Sequence, residues 1–337
     1  MKIKNFGLLL VTLLITNVLV AQSIVQVAQN SQTSLRGLSV INDRVAWVSG
    51  SKGYIGITND GGKTWNWQRV KGFENADFRD IEAFSDKEAI IMSSGTPALI
   101  LKTVDGGVNW QVTYRNADSS CFLDAMDFFG SGNGEGWVLG DPVNNKFLLL
   151  LTPDDGKTWS PYNNVPSAQN GEAAFAASGT CLRTIKHDIF IVTGGSSANL
   201  LTSNSKEKKW SASSLPLFKG KNSQGAFSIA KGKRGLVIVG GDYLHDMQTD
   251  STVCYSIDGG LTWKLADIPP AGFQSCVEYI SDVTFLSTGT PGSNITTDGG
   301  KTWKKIDNTS YNVCRKAKHG KLVLLAGNGG KIGVLKM

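Results

Sequence analysis

Thr58-Asn59-Asp60-Gly61-Gly62-Lys63-Thr64-Trp65 is the first copy of a motif that decides the fold of this chain. Four further copies keep the same spacing, at Asp105 and Trp110, Asp154 and Trp159, Asp258 and Trp263, and Asp298 and Trp303. A worn copy at residues 203–210 keeps Trp210 but neither the aspartate nor the glycine. The tryptophans are separated by 45, 49, 51, 53 and 40 residues, which is the length of four short strands with their turns. The repeat therefore predicts the blades of a β-propeller.

The residue types of the motif indicate a tight hairpin between the third and fourth strands of each blade. A short carboxylate accepts hydrogen bonds from nearby backbone N–H groups, glycine tolerates a positive φ, and tryptophan packs beneath the turn. A calcium site is disfavoured because one carboxylate per loop falls short of the six or more oxygens that Ca²⁺ takes. We therefore predict a structural role for the five Asp and Trp pairs, and no metal.

Seven apolar runs that end in glycine-rich turns give the number of blades. They occupy residues 45–50, 89–95, 136–140, 189–195, 236–241, 283–289 and 322–327. Their β-branched and aromatic content is typical of strands covered on both faces. A first, inner strand precedes each run, beginning at Leu35, Phe78, Phe122, within 174–185, and at Ala226, Val277 and Val313.

The seventh unit has three strands, and the alternating segment 23–28 is left over ahead of the first unit. Pairing this segment with the last unit would close the ring and remove exposed edges. The sequence thus predicts an all-β fold, a seven-bladed β-propeller of four-stranded antiparallel blades closed by an N-terminal strand.

Residues 1–21 are predicted to be a signal peptide. Lys2 and Lys4 precede an apolar stretch from Leu8 to Ile15, and Ala21 ends a suitable cleavage site. The stretch is short for a bilayer span of about 20 residues. We expect an exported, monomeric protein, periplasmic or secreted, with the propeller at 22–337 and no transmembrane segment after cleavage.

Composition narrows the function further. Charged residues make up 18% of the chain, the net charge is +6, and the basic residues are scattered rather than arranged in a stripe. Nucleic acid is therefore not expected as a partner. No G-x-G-x-x-G motif or Cys/His cluster is present, so we expect no cofactor.

The five cysteines leave two readings open. Cys276 and Cys314 occupy corresponding positions in neighbouring repeats, which would allow a disulfide between adjacent inner strands. The alternative is that all five are small buried apolar residues, as free cysteines commonly are.

The repeated motifs are Asp boxes, also called bacterial neuraminidase repeats. Together with Phe78-Arg79-Asp80-Ile81, Gly140-Asp141-Pro142, residues 171–178 and Gly240-Gly241-Asp242-Tyr243, they make the chain resemble the exported bacterial branch related to photosystem II stability/assembly factors. More distantly it resembles sialidase-like propellers. The resemblance covers roughly residues 30–337 and implies a ligand site at one end of the central channel. That end is formed by the starts of the first strands and the turns after the second strands.

The geometry implied by this resemblance selects the candidate site residues. The first strands supply Arg36, Arg79, Asp80, Asp124, Arg183, Glu278 and Arg315, and the turns supply Asp141, Glu172, Asp242, Tyr243 and His245.

Two functions fit these candidates. The resemblance favours a binding or assembly role without enzymatic activity, in which arginines at the channel mouth recognise an acidic or peptide-like partner. The alternative is a glycoside hydrolase, which needs two carboxylates about 5.5 Å or about 6.5–9.5 Å apart. Asp141, Glu172 and Asp242 would then be catalytic, and the partner would be a glycan.

Overall fold

The computed structural model describes residues 22–130, 134–204 and 209–337. The predicted signal peptide lies outside these ranges, as does part of the worn repeat. Among the described residues, no helix is long and apolar enough to cross a membrane.

Seven sheets surround a central channel, and each sheet is a blade with its first strand innermost. Blade one comprises Leu35–Val40, Ala46–Gly50, Tyr54–Thr58 and Asn66–Arg69; blade two Phe78–Ala83, Ala89–Ser93, Ala98–Thr103 and Gln111–Asn116; blade three Leu123–Phe128, Gly136–Val143, Lys146–Thr152 and Ser160–Pro161; blade four Leu182–Ile185, Asp188–Val192, Asn199–Asn204 and Trp210–Ser214.

Blade five comprises Lys221–Lys231, Leu236–Asp242, Val253–Ser256 and Lys264–Leu265; blade six Cys276–Ser281, Thr284–Gly289, Gly292–Thr296 and Lys304–Asp307; blade seven Val313–Lys316, Val323–Ala326, Lys331–Lys336 and Ser23–Gln29. Two short strands, Glu172–Ala173 and Gly194–Gly195, extend the sheet of blade five towards blade four. A 3-10 turn spans Asn328–Gly330.

The predicted closure of the ring is confirmed. The N-terminal strand pairs antiparallel with the last strand of the chain, with Ile24 opposite Leu335 and Val25 opposite Val334. Both ends of the chain therefore share blade seven, and the fold is the predicted all-β, seven-bladed propeller.

The core lies between the blades because the second strand of each blade is covered on both faces. Ala46–Gly50, Ala89–Ser93 and Val323–Ala326 are buried along their whole length. Polar groups also join neighbouring blades: the Trp47 indole N–H donates to the carbonyl oxygen of Ser85 at 2.9 Å. The near-continuous apolar runs of the sequence thus correspond to packing between sheets.

Each Asp box is a hydrogen-bonded hairpin. In the first, the Asp60 carboxylate accepts the Thr64 N–H at 2.9 Å and the Thr64 hydroxyl at 2.6 Å. The Trp65 indole N–H donates to the carbonyl oxygen of Gly62 at 3.1 Å, and Gly62 has a φ of 88°. Asp105, Asp154, Asp258 and Asp298 accept the equivalent bonds in their own hairpins.

The worn copy uses a different contact. The Trp210 indole N–H donates to the carbonyl oxygen of Asn164, 2.7 Å away in the preceding blade. This tryptophan therefore joins two blades.

All five cysteines are buried and unpaired. Cys276 and Cys314 lie on adjacent inner strands as predicted, but the Cys276 sulfur accepts the Cys314 backbone N–H at 3.4 Å. Of the two readings, the structure therefore has the buried thiols and not the disulfide.

Candidate functional site

The channel opens into a cavity of about 520 Å³ on the face opposite the Asp boxes, here called the mouth cavity. Of the predicted site residues, Arg36, Arg79, Asp124, Asp141 and Tyr243 line it. The starts of first strands and the turns after second strands therefore do meet around one cavity.

Four residues point into the mouth cavity because each is the extra residue of a β-bulge. The pairing of first and second strands slips between Leu35 and Gly37, between Phe78 and Asp80, between Leu123 and Ala125, and between Ala226 and Ser228. The residues inserted at these slips are Arg36, Arg79, Asp124 and Phe227, all of which line the cavity. A bulge interrupts the alternation of side chains and re-aims the extra one.

The two arginines form the cationic wall of the cavity. Arg36 Nη1 donates to the carbonyl oxygen of Ala177 at 3.3 Å, and Arg79 Nε donates to Asp77 Oδ2 at 2.7 Å. Burial and the nearby Arg79 guanidinium lower the pKa of Arg36, while Asp77 opposes them. Two guanidinium groups thus share one carboxylate, which leaves this wall positively charged.

Asp124 is a buried carboxyl group without a hydrogen-bond partner among the described residues. Burial raises its pKa well above the ordinary value, the charge of Asp141 adds to this effect, and Arg79 opposes it. Asp141 accepts the Ala174 N–H at 3.1 Å, and burial raises its pKa as well. The raised pKa favours the uncharged form of Asp124, which weakens its ability to offset the arginines.

Aromatic side chains form the opposite wall. The rings of Phe175 and Phe227 stack with centroids 3.8 Å apart, and Phe273 meets Phe227 edge-on at 4.8 Å. Beside them Tyr243, which also lines the cavity, is 46% exposed. Sequence reasoning missed Phe227 and Phe273, since aromatic residues within strands are usually assigned to the core.

The inner strand predicted within residues 174–185 occupies only the end of that range, and the stretch before it has another role. The first strand of blade four begins only at Leu182, and residues 173–177 line the mouth cavity instead. Ala177 and Ala176 present the carbonyl oxygens that Arg36 and Arg79 approach. This segment therefore positions the cationic wall.

Four candidates contact the protein itself and do not line the mouth cavity: Asp80, Glu172, Asp242 and His245. Asp80 is buried and accepts the backbone N–H groups of Ile81 at 2.9 Å and Met126 at 2.7 Å, which joins blades two and three. Glu172 is buried and accepts the Thr193 hydroxyl at 2.6 Å and the Asn199 amide at 2.8 Å.

Asp242 is also buried, and it accepts bonds from Gln224, the Leu244 N–H and His245. Burial by itself would raise the pKa of Asp242. Hydrogen bonds from Ser223, Gln224, Leu244 and His245 outweigh burial and lower the pKa to about 2. Of the three carboxylates in the hydrolase alternative, only Asp141 lines the cavity.

The sequence predicts Arg183, Glu278 and Arg315 at the channel mouth. The structure corrects this prediction, because the three residues lie deeper in the channel. Glu278 pairs with Leu286 and Arg315 with Leu324, each three residues before the turn. At this position their blades lack the bulge that turns Arg36 to the mouth. The register of an inner strand is not visible in its sequence.

The fold and the cavity define the class: this protein is a seven-bladed Asp-box β-propeller with an arginine-lined channel mouth. The family model described as Photosynthesis system II assembly factor YCF48 matches residues 17–115 and 93–172, and the BNR/Asp-box repeat model matches residues 295–305. The predicted resemblance to the assembly factors is thus confirmed. No curated protein sequence matches the chain.

Solved structures show the same fold. "YCF48 bound to D1 peptide" is 16% identical with a TM-score of 0.65, covering 94% of this chain and 97% of that chain. YCF48 from Cyanidioschyzon merolae is 15% identical with a TM-score of 0.64, covering 93% and 98%. A virginiamycin B lyase from Staphylococcus aureus is 12% identical with a TM-score of 0.67, covering 94% and 99%. The lyase and the assembly factors are about equally similar to this chain in structure, so these similarities show the fold alone.

Proposed function

We propose that this chain is a binding protein of the assembly-factor type, which recognises an acidic, peptide-like segment of a partner protein in the mouth cavity. The observation that carries this proposal is the convergence of Arg36, Arg79, Asp124 and Phe227 from four bulges onto one cavity. Bulges are local departures from regular pairing that commonly re-aim side chains beside functional sites.

The charges and shape of the cavity support an acidic ligand. Arg36 and Arg79 share the single carboxylate of Asp77, and the raised pKa of Asp124 favours its uncharged form. Guanidinium groups bind carboxylates through paired hydrogen bonds. The aromatic wall offers an apolar surface beside them, which suits a peptide with an acidic group next to an apolar side chain.

The comparisons support a peptide-like partner. One of the similar propellers was solved with a D1 peptide bound, and the matching family model describes assembly factors. We further propose that the protein acts after export, in the periplasm or outside the cell, because residues 1–21 have the composition of a signal peptide.

The test is binding of fluorescent peptides from an acidic library to the purified protein. Arg36→Gln and Arg79→Gln are each expected to weaken the best binder about 10- to 100-fold, the equivalent of losing a charged hydrogen bond of ~1.5–3 kcal/mol. Arg234→Gln is the matched control, because Arg234 is exposed in a surface ion pair with Asp282.

Equal binding by the wild type and both mouth variants would contradict the proposal. Turnover of aryl glycosides that disappears in Asp141→Asn would replace it with the hydrolase alternative.

A further inference from the structure

A smaller cavity of about 60 Å³ lies in the central channel, here called the channel cavity. It is separate from the mouth cavity and is lined mainly by charged side chains from blades two, three, four, six and seven. These side chains are Glu82, Asp127, Arg183, Glu278, Arg315, Lys316 and Lys318.

The charges of this lining do not balance. Asp127 lies 3.7 Å from Arg183, Glu278 lies 3.8 Å from Arg315, and Glu82 pairs with Lys318. Lys316 belongs to none of these three ion pairs, and its ammonium group donates to the carbonyl oxygen of Ile280 at 2.5 Å. The lining thus has four cations and three carboxylates.

Burial increases this imbalance. It raises the pKa of Glu278 to about 8, even though Arg183 favours the ionised form. This rise favours the uncharged form of Glu278, which reduces the negative charge of the lining. Because the side chains of Arg183 and Arg315 are largely withdrawn from solvent, a counter-charge between them would stabilise the lining.

Two hydrogen-bond donors in the lining also lack acceptors. Arg183 Nε and Arg315 Nη1 are buried, and neither has a hydrogen-bond partner among the residues that the structure describes. Their carboxylate neighbours lie at 3.7 and 3.8 Å, beyond hydrogen-bonding distance. Buried donors without acceptors are costly, so an acceptor is expected between them.

We infer that the channel cavity binds one small monovalent anion, a halide such as chloride, between the guanidinium groups of Arg183 and Arg315. Its volume of about 60 Å³ is far smaller than the 520 Å³ of the mouth cavity, which suits a small ion and not a peptide. Water could accept the same N–H bonds but could not neutralise the charge. Because Arg183 belongs to blade four and Arg315 to blade seven, the anion would join blades across the channel axis.

Bromide soaked into crystals of the full chain tests the site directly. We expect an anomalous peak between Arg183 and Arg315, and we expect it to be lost in Arg183→Gln. A wild-type channel without a bromide peak would overturn the inference, whatever the variants do.

Thermal unfolding tests the site in solution. At constant ionic strength, replacing gluconate by chloride or bromide should raise the Tm in proportion to the logarithm of halide concentration above the Kd. Arg183→Gln and Arg315→Gln should abolish this rise, whereas the surface control Arg234→Gln should keep it. Identical Tm values in gluconate and halide, or an unchanged rise in both channel variants, would show a hydrated network without a bound anion.

Discussion

Two carboxyl groups on similar first strands have different hydrogen-bond surroundings. Asp80 and Asp124 are both buried carboxyl groups on first strands, yet Asp80 accepts two backbone N–H groups and Asp124 accepts none with normal geometry. Burial raises the pKa of both groups well above the ordinary value. Two backbone N–H groups oppose the rise at Asp80, whereas at Asp124 only the Ala176 N–H, which lies outside normal hydrogen-bond geometry, does so. The difference arises because Asp124 is a bulge residue aimed at the cavity and Asp80 points between blades.

The raised pKa of Asp124 predicts a pH-dependent stability difference between the wild type and Asp124→Asn. Above about pH 3.9 the unfolded chain ionises this group while the folded chain keeps its proton. The wild type should therefore lose stability relative to Asp124→Asn by up to ~1.4 kcal/mol per pH unit until the folded pKa is reached. Urea unfolding of both proteins at pH 4 and pH 8 measures this difference. Parallel stability profiles would show that Asp124 is ionised in the folded protein.

At the scale of elements, the segment between blades three and four is as important as the strands. It crosses the channel before Leu182 begins the first strand of blade four, and Gly179 within it has a φ of 66°. A Cβ atom at Gly179 would lie 2.3 Å from the Asp80 carboxyl group. The close approach of this backbone therefore depends on glycine.

Gly179→Ala should consequently destabilise the protein more than Gly72→Ala. Both glycines have a positive φ, but a Cβ at Gly72 would meet no atom within 4 Å. Gly72→Ala should cost about 1 kcal/mol for its backbone alone, and Gly179→Ala a further ~1–3 kcal/mol for overpacking. The free energy of unfolding of the two variants gives the comparison, and equal losses would mean that the segment moves freely away from Asp80.

At the scale of the whole molecule, one strand from the start of the chain closes the ring. Ser23–Gln29 forms six residue pairs with Lys331–Lys336 and covers an edge that would otherwise be exposed. A closed ring holds each blade between two neighbours, so local contacts reinforce one another around the whole circle.

Deleting residues 23–29 should therefore reduce stability strongly. With ~1 kcal/mol for each strand hydrogen bond, six pairs represent a loss on the order of 5 kcal/mol, and the open edge should promote self-association. Denaturant unfolding and light scattering measure the two effects, with the exposed substitution Lys63→Ala as a control in an Asp-box loop. A truncated chain that stays monomeric and equally stable would show that closure adds little.

The amino-acid sequence by itself determined the number of blades, the strand order, the hairpins of the Asp boxes and the closing strand. These features depend on short-range chemistry, such as the carboxylate, glycine and tryptophan of residues 58–65, which recurs and is therefore readable. Only the tertiary structure decided which inner-strand residues face the mouth. The bulge at Arg36 turns this side chain to the mouth cavity. Arg315 lies in a similar context without a bulge, and its side chain lines the channel cavity. Bulges and the balance of charges in the channel depend on pairing between segments distant in sequence, and no local pattern records them.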